Sequence, residues 1–205
     1  MNKRLAIVGA SGHGKVIADM AKKLGYTDIV FFDDNETLTE CNGYAVVGTG
    51  RDVKMFSDRE FVVAIGNAQI RKKIQQGLED SGLHITTLIH PNAVIGENVA
   101  LGAGTIVMAG AVVNPCVQVG RGCIINTCAS VDHDCLIGDF VHVSVGAHVA
   151  GSVTIGDKTW IGAGATVSNN VAIVGECMVG AGAVVIKDIK DSGTYVGVPA
   201  RRKER

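Results

Sequence analysis

The sequence predicts two structural units, a small parallel α/β unit followed by a parallel β-helix. In the first part of the chain, strand-like apolar runs alternate with segments of helical periodicity, which is typical of α/β units. In the second part, aliphatic residues recur every six positions, a period that fits a hexapeptide β-helix. Apolar residues make up 47% of the 205 residues while aromatic residues make up only 4%. This composition favours a narrow interior with tight turns.

The α/β unit is predicted from five segments, three strands and two helices. "RLAIVG" is typical of a buried strand, and "KVIADMAKKLG" after the turn "GASGHG" has helical spacing and ends at Gly25. "DIVFFDD" and "FVVAIGN" are predicted as further strands, and "AQIRKKIQQGLEDSG" as a second helix that closes on Gly82. We place the boundary after Leu88, so that residues 1–88 form one domain and residues 89–205 the other.

The β-helix is predicted from an unbroken repeat. From Ile89 to Val185, every residue at a step of six is Ile, Leu or Val, and a second series at the same step, from Ala93 to Ala183, contains only small residues. Three hexapeptides close one triangular coil, so this stretch corresponds to about 5.3 coils and, at roughly 4.8 Å per coil, a height of about 26 Å. Glycine often follows the aliphatic residue, and we expect it to supply the unusual φ angle of the turns.

The cysteines are predicted to be reduced thiols. Six cysteines without paired spacing fit a reducing compartment better than a disulfide framework. Cys123, Cys135 and Cys177 occupy small inward positions of the repeat, so we interpret them as packing residues rather than ligands.

Charge and hydropathy exclude several partners. A net charge of -1 gives no reason to expect nucleic acid or an anionic membrane surface. No segment approaches the roughly 20 apolar residues of a spanning helix, and the first apolar run is too short for a signal peptide. We therefore expect a cytoplasmic protein without membrane insertion.

The turn Gly9–Gly14 is the first candidate binding element. Its glycines allow a ligand to approach the backbone, and the following helix offers free N–H groups that suit a diphosphate. Asp33 and Asp34 end the next predicted strand, where carboxylates could accept hydrogen bonds from ribose or a base. "AIGN", residues 64–67, should border the same crevice. The glycine spacing differs from the dinucleotide fingerprint, so a simple tight turn and a solvated acidic loop remain alternatives.

His133 is the main catalytic candidate. It lies between Asp132 and Asp134, near a predicted corner of the coil, where its side chain can leave the prism and a carboxylate can fix its tautomer. His142 and His148 end their hexapeptides. A lone surface or packing histidine is the alternative for each. A zinc site built from all three histidines is a less favoured reading because they do not recur at one position of successive coils, so no metal is expected.

The tail after the repeat is basic. Arg201, Arg202, Lys203 and Arg205 form either a solvated terminus or a contact to an anionic cofactor.

Several motifs together resemble one enzyme family. They are "GASGHGK", "FFDD", "AIGNAQIRKKI", "LIHP", "NTCASVDHDCLIGDFVHVSVGAHVAGSVTIG" and "VGVPAR", which cover essentially the whole chain. The chain resembles the hexapeptide-repeat acyltransferases. More closely, it resembles the UDP-4-amino-sugar N-acetyltransferases of the bacillosamine pathway, which are grouped with sialic-acid-type sugar O-acetyltransferases.

The resemblance implies a fold, an assembly and residue roles. It implies a Rossmann-like N-terminal domain for the UDP-sugar and a left-handed β-helix, assembled as a homotrimer with acetyl-CoA between subunits. His133 would be the general base, with Asp134 beside it. The residues expected to bind the substrate are Gly9, Ser11, Gly12, His13, Asp33, Asp34, Ala64, Ile65 and Gly66. The residues expected to bind acetyl-CoA are Asn126, His142, Gly151, Ala163 and Ala181.

The expected reaction is acetyl transfer to the 4-amino group of a UDP-4-amino-4,6-dideoxy sugar. A neutral imidazole suits removal of the amine proton at neutral pH. A backbone N–H near Gly151 or the ring of His142 could stabilise the oxyanion. Cys128 and Cys135 are not expected to act as nucleophiles. O-acetylation of a sialic-acid-like sugar, a γ-carbonic-anhydrase-type zinc hydratase and a non-catalytic nucleotide-sugar sensor remain alternatives.

Overall fold

The computed structural model describes residues 3–204, and the chain divides into two compact units between Pro91 and Asn92. The boundary expected from the sequence, after Leu88, lies slightly before this division. No helix in the described range is long and apolar enough to cross a membrane. Arg205, which was part of the predicted basic tail, lies outside the described residues.

The first unit is built on a Rossmann-like parallel sheet with strand order β2-β1-β5-β6. Its elements are β1 (Lys3–Val8), α1 (Gly12–Lys23), β2 (Tyr26–Phe32), β3 (Glu40–Cys41), β4 (Tyr44–Ala45), a 3₁₀ turn (Val53–Phe56), β5 (Glu60–Val63), α2 (Ala68–Asp80), β6 (His84–Ile85) and β7 (Leu88–Ile89). The predicted strands and helices of this unit are confirmed. The short hairpin β3–β4 and strand β6 were not foreseen, because such short strands carry too little periodicity.

The core of this unit explains why its strands form. Phe32 of β2, Phe61 of β5 and Val63 of β5 are buried, and they share a hydrophobic cluster with Leu78 of α2. Strands of a parallel sheet are buried on both faces and therefore have nearly continuous apolar sequences. The carboxyl ends of β1, β2 and β5 consequently meet at one edge of the sheet.

The second unit is a left-handed parallel β-helix of about six turns, as the resemblance implied. Its strands are β8 (Val94–Ile95), β9 (Ala100–Leu101), β10 (Ile106–Val107), β11 (Val112–Val113), β12 (Gln118–Val119), β13 (Ile124–Ile125), β14 (Ser130–Val131), β15 (Leu136–Ile137), β16 (His142–Val143), β17 (His148–Val149), β18 (Thr154–Ile155), β19 (Trp160–Ile161), β20 (Thr166–Val167), β21 (Ala172–Ile173), β22 (Met178–Val179), β23 (Val184–Val185), β24 (Thr194–Val196) and β25 (Arg201–Arg202). They form three faces: β10, β13, β16, β19 and β22 lie on the first, β8, β11, β14, β17, β20 and β23 on the second, and β9, β12, β15, β18 and β21 on the third.

The register confirms the predicted coil of three hexapeptides. Ile125 pairs with Val143, and Val143 pairs with Ile161, so each partner lies one full coil further along the chain. The inward aliphatic residues are buried from the second coil onward, and the packing positions Cys123, Cys135 and Cys177 are buried as well. All six cysteines are free thiols.

The turns correct one expectation about glycine. The residues with positive φ recur every six positions from Asn98 to Gly182, at the third position after each inward aliphatic residue, and most of them are not glycine. The glycines that directly follow the aliphatic residue do not have positive φ. A Cβ atom on Gly102 would instead lie 2.5 Å from the backbone nitrogen of Arg121 in the next coil. These glycines are therefore required by the close approach of adjacent coils. The expectation that glycine supplies the unusual φ is confirmed at six other positions between Gly104 and Gly182, and it is wrong for the turns that have a side chain at this position.

The tail partly continues the β-helix. Strand β24 pairs in parallel with β22, and β25 returns antiparallel to β24. Arg202 donates a hydrogen bond to the carbonyl of Ser192 at 3.0 Å. The basic tail is therefore folded onto the last coil, although its sequence no longer follows the period of six.

Candidate functional site

The glycine-rich turn lies directly against the end of β5. A Cβ atom on Gly9 would lie 2.9 Å from the carbonyl oxygen of Ala64 and 2.8 Å from the side chain of Ile65. A Cβ atom on Gly14 would lie 2.2 Å from the carbonyl oxygen of Gly9. The structure thus brings together two of the predicted substrate-binding segments, and each of these glycines is needed for close backbone packing. Ser11 and Gly12, at the start of α1, are exposed.

The two neighbouring aspartates have different environments. The carboxylate of Asp33 accepts hydrogen bonds from the backbone N–H groups of Ala10, at 2.8 Å, and Asn35, at 3.0 Å. Asp33 therefore ties the glycine-rich turn to the end of β2. Asp34 accepts a long bond, 3.3 Å, from the N–H of Gly50, and it lines a cavity of about 400 Å³.

The cavity beside Asp34 is lined by apolar residues and by cations. Val8, Val53 and Ile74 are among its apolar lining residues, and Arg51 and Lys73 are among its cations. Apolar walls with a few polar groups are typical of small-ligand sites. Asp33 lines a separate cavity of about 270 Å³, so both predicted carboxylates border a space that could hold a ligand, and Asp34 is the one that the protein backbone binds less closely.

Arg71 is a residue that the sequence reasoning missed. Its side chain is only 1% exposed, and its Nη1 atom donates to the carbonyl oxygens of Ile65, at 2.8 Å, and Gly66, at 2.7 Å. A buried guanidinium is costly unless such bonds satisfy it. The sequence does carry a signal: Arg71, Gln75 and Leu78 follow the spacing of the buried stripe of α2.

His13 lies in the electrostatic field of this arginine. Burial, together with the charge of Arg71, lowers the pKa of His13 to about 4. The ring is therefore neutral at physiological pH, so this predicted substrate-binding residue would meet a diphosphate as a hydrogen-bonding group rather than as a cation.

His133 stands at a corner between the second and third faces of the β-helix. Asp134, which follows it, has a φ of 57° and turns the chain at that corner. The Nδ1 atom of His133 lies 2.8 Å from Oδ2 of Asp134, and the side chain of His133 is 57% exposed. Because a carboxylate only accepts, Nδ1 carries the proton in the neutral ring, and Nε2 is left as the basic nitrogen.

The other flanking aspartate, Asp132, binds the backbone N–H of His133 rather than its ring. Its carboxylate accepts from the backbone N–H of His133 at 2.8 Å and from the side-chain amide of Asn114 at 2.7 Å. Asp134 therefore orients the imidazole, and Asp132 holds the backbone of the corner. The pKa of His133 is raised by the hydrogen bond to Asp134 first, and then by the negative charge of Asp132.

The predicted acetyl-CoA residues lie mainly along a different corner. Ala163 and Ala181 are exposed and one full coil apart, and Gly182 donates to the carbonyl of Ala163 at 2.9 Å, so they stack in adjacent coils. Asn126 lies at the same corner, after the first face. Gly151 instead lies at the corner of His133, one coil further along. A single chain therefore divides the predicted residues between two corners that are separated by the second face.

Asn126 and His142 form a defined pair. Asn126 accepts from the N–H of Thr127 at 2.8 Å through Oδ1, so its Nδ2 atom faces Nε2 of His142 at 3.1 Å. An amide nitrogen only donates, so Nε2 of His142 accepts. The ring also packs on Trp160, with 4.4 Å between centroids, and the indole N–H of Trp160 donates to Ser144 at 2.7 Å. Trp160 was not among the predicted site residues.

The histidines do not converge. His148 lies on the second face and pairs through Nδ1 with the hydroxyl of Ser130 at 2.8 Å. Within the described range of the chain, no three His, Cys, Asp or Glu side chains are grouped to hold a metal ion. Within one chain, the geometry therefore offers a histidine–carboxylate pair at His133 and Asp134.

Comparison with protein families and curated proteins identifies relatives for both units. Residues 4–78 match the family model described as the PglD N-terminal domain. The chain is 36% identical over 111 residues to UDP-N-acetylbacillosamine N-acetyltransferase of Bacillus subtilis (strain 168), covering 52% of this chain and 51% of that protein. It is 32% identical over 152 residues to GDP-perosamine N-acetyltransferase of Escherichia coli O157:H7, covering 71% and 69%. The chain belongs to this family of sugar N-acetyltransferases. The matched region spans only about half of the Bacillus subtilis protein.

Solved structures of family members superpose on nearly the whole chain. The acetyltransferase domain of PglB from Neisseria gonorrhoeae FA1090, in complex with acetyl coenzyme A, has a TM-score of 0.94 and 40% identity, covering 99% of this chain and 100% of that one. PerB from Caulobacter crescentus, in complex with CoA and GDP-perosamine, has a TM-score of 0.94 and 36% identity, covering 98% and 97%. The fold is therefore one that binds these ligands in the two relatives.

Proposed function

We propose that this protein transfers the acetyl group of acetyl-CoA to the 4-amino group of a UDP-4-amino-4,6-dideoxy sugar, with His133 as the general base. The observation that carries the proposal is the contact between Nδ1 of His133 and Asp134, which leaves Nε2 basic at an exposed corner. The relatives named above act on amino sugars linked to UDP or GDP, which supports N-acetylation over the O-acetylation alternative.

The mechanism follows from the protonation states of the sugar amine and of the His133 imidazole, both of which react in the neutral form. The neutral sugar amine attacks the thioester carbonyl, Nε2 of His133 accepts the proton that the nitrogen loses, and the tetrahedral adduct collapses with release of the CoA thiolate. General-base assistance of this kind contributes about 10²–10⁴-fold. Because Nε2 of His142 accepts from Asn126, the backbone N–H of Gly151 is favoured over that nitrogen as the oxyanion donor.

We further propose that the active site forms between subunits of a homotrimer. The base lies at one corner of the β-helix, and Asn126, Ala163 and Ala181 lie at another with a whole face between them, so a second chain would be needed to bring a base close to those three residues. The N-terminal unit would bind the nucleotide through the glycine-rich turn, Asp34 and the end of β5.

The test is an assay of free thiol release from acetyl-CoA with a panel of UDP-linked and GDP-linked 4-amino sugars. We expect turnover with UDP-4-amino-4,6-dideoxy sugars and loss of most turnover in His133→Ala. Turnover only with GDP-linked sugars would correct the nucleotide, and turnover with a sialic-acid-like acceptor alone would establish O-acetylation instead. Absence of turnover and of acetyl-CoA binding would refute the proposed function.

A further inference from the structure

We propose that Gly151 positions the general base, because the imidazole of His133 packs directly against it. A Cβ atom at residue 151 would lie 2.7 Å from both Cε1 and Nε2 of His133 and 3.3 Å from Cδ2. Real Cβ atoms do not approach other heavy atoms so closely, so no other residue fits beneath the ring in its present position. The inference rests on the proposed role of His133 as the base.

The backbone does not explain this glycine. Gly151 is absent from the positive-φ residues of the β-helix, whereas its neighbour Ser152, a residue with a side chain, has a φ of 57°. Gly151 also differs from Gly102, whose Cβ atom would meet the backbone of the next coil. The atoms that exclude a side chain at residue 151 belong to the imidazole itself.

The repeat explains how the contact arises. His133 and Gly151 are one full coil apart in the sequence and therefore occupy the same corner in successive coils, and Ser152 donates to the carbonyl of His133 at 2.9 Å. The imidazole extends from its own coil over the next one. Two contacts then define its orientation: Asp134 holds Nδ1, and Gly151 provides the surface beneath Nε2.

An alanine at residue 151 should therefore move the imidazole rather than the coil. The ring is the end of a side chain and can rotate, whereas the stacked backbone cannot. Rotation away from residue 151 takes Nδ1 away from Asp134 and shifts Nε2 from its place. A misplaced base lowers the rate of the chemical step without changing the binding of a ligand elsewhere.

The experiment is a double-mutant cycle on the full-length protein. We expect Gly151→Ala to lower kcat by about 10–100-fold while the Kd for acetyl-CoA stays within about threefold. In the His133→Ala background the same substitution should change kcat by less than about twofold, because the ring it displaces is gone. Asn169→Ala, at the same corner one coil further along, is the matched control and should keep wild-type kcat.

The outcomes separate the inference from the proposed function. If Gly151→Ala lowers kcat by the same factor in the wild-type and His133→Ala backgrounds, or raises the Kd for acetyl-CoA in both, Gly151 has a role independent of His133. Either result would overturn the inference and leave the proposed function standing. If His133→Ala retains full activity, the base assignment fails and the inference fails with it.

Thermal denaturation provides a second check, since the double variant should unfold at the same temperature as His133→Ala. A lower temperature would show that the alanine disturbs the coil itself and would overturn the inference.

Discussion

The corner of His133 and the edge of the Rossmann-like sheet are assembled in different ways. At the corner, His133 and Asp134 are chain neighbours, and Gly151 follows at the equivalent position of the next coil. At the sheet edge, Asp33 and Arg71 come from separate elements and act on the backbone of other segments. We therefore expect substitutions at the corner to affect the chemical step, and substitutions at the sheet edge to affect binding of the nucleotide-linked sugar.

The largest expected effect is the loss of the base. His133→Ala should lower kcat by about 10²–10⁴-fold, because the amine proton loses its positioned acceptor. The Kd for acetyl-CoA, measured by calorimetry, should remain close to wild type. His148→Ala removes another exposed histidine of the same β-helix and serves as the control. A kcat within about threefold of wild type for His133→Ala would rule out the base assignment.

The second-largest effect is expected for substitution of Arg71 at the edge of the Rossmann-like sheet. Arg71→Gln should raise the KM for the nucleotide-linked sugar by about tenfold or more, because the carbonyl groups of Ile65 and Gly66 lose their charged donor. The free energy of unfolding should fall by about 1–3 kcal/mol. Arg71→Lys keeps the charge and should recover part of the affinity. A raised KM for acetyl-CoA of the same size would contradict a role at the nucleotide end.

The third-largest effect distinguishes the role of Asp34 from that of Asp33. Asp34→Asn should raise the KM for the nucleotide-linked sugar far more than that for acetyl-CoA, while stability remains near wild type, because the bond that Asp34 accepts from the N–H of Gly50 is long and weak. Asp33→Asn weakens the bonds to Ala10 and Asn35, so it should also lower the melting temperature. Equal KM changes for both substrates in Asp34→Asn would mean that the nucleotide is bound elsewhere.

The smallest effect is a shift in pH dependence. The bond to Asp134 raises the pKa of His133, and the base acts only when neutral, so activity is lost as the pH falls through that raised pKa. Asp134→Asn removes the charge and should move the acidic limb of kcat/KM to lower pH. Asparagine tolerates the left-handed conformation at residue 134, so the corner should persist. Asp132→Asn should give a smaller shift in the same direction, and an upward shift in Asp134→Asn would exclude this account.

The repeat made much of the β-helix predictable. A period of six placed the buried cysteines inside the prism and His133 near a corner, because each residue's position in a coil follows from its number alone. Strand and helix periodicity likewise predicted the main elements of the α/β unit. The role of glycine after the aliphatic residues was not predictable, because the clash at Gly102 involves the backbone of the adjacent coil, which is distant in the sequence.

The sequence by itself thus determined the two kinds of fold and the imidazole between two carboxylates, since these follow from periodicity and from chain neighbours, and its motifs indicated the family through resemblance. Only the tertiary structure decided that Asp134 rather than Asp132 holds the ring, that Asp33 supports a turn while Asp34 lines a cavity, and that Arg71 is buried beneath the end of β5. The physical reason is that a side chain's hydrogen-bond partners and the space around it depend on which distant segments fold against it.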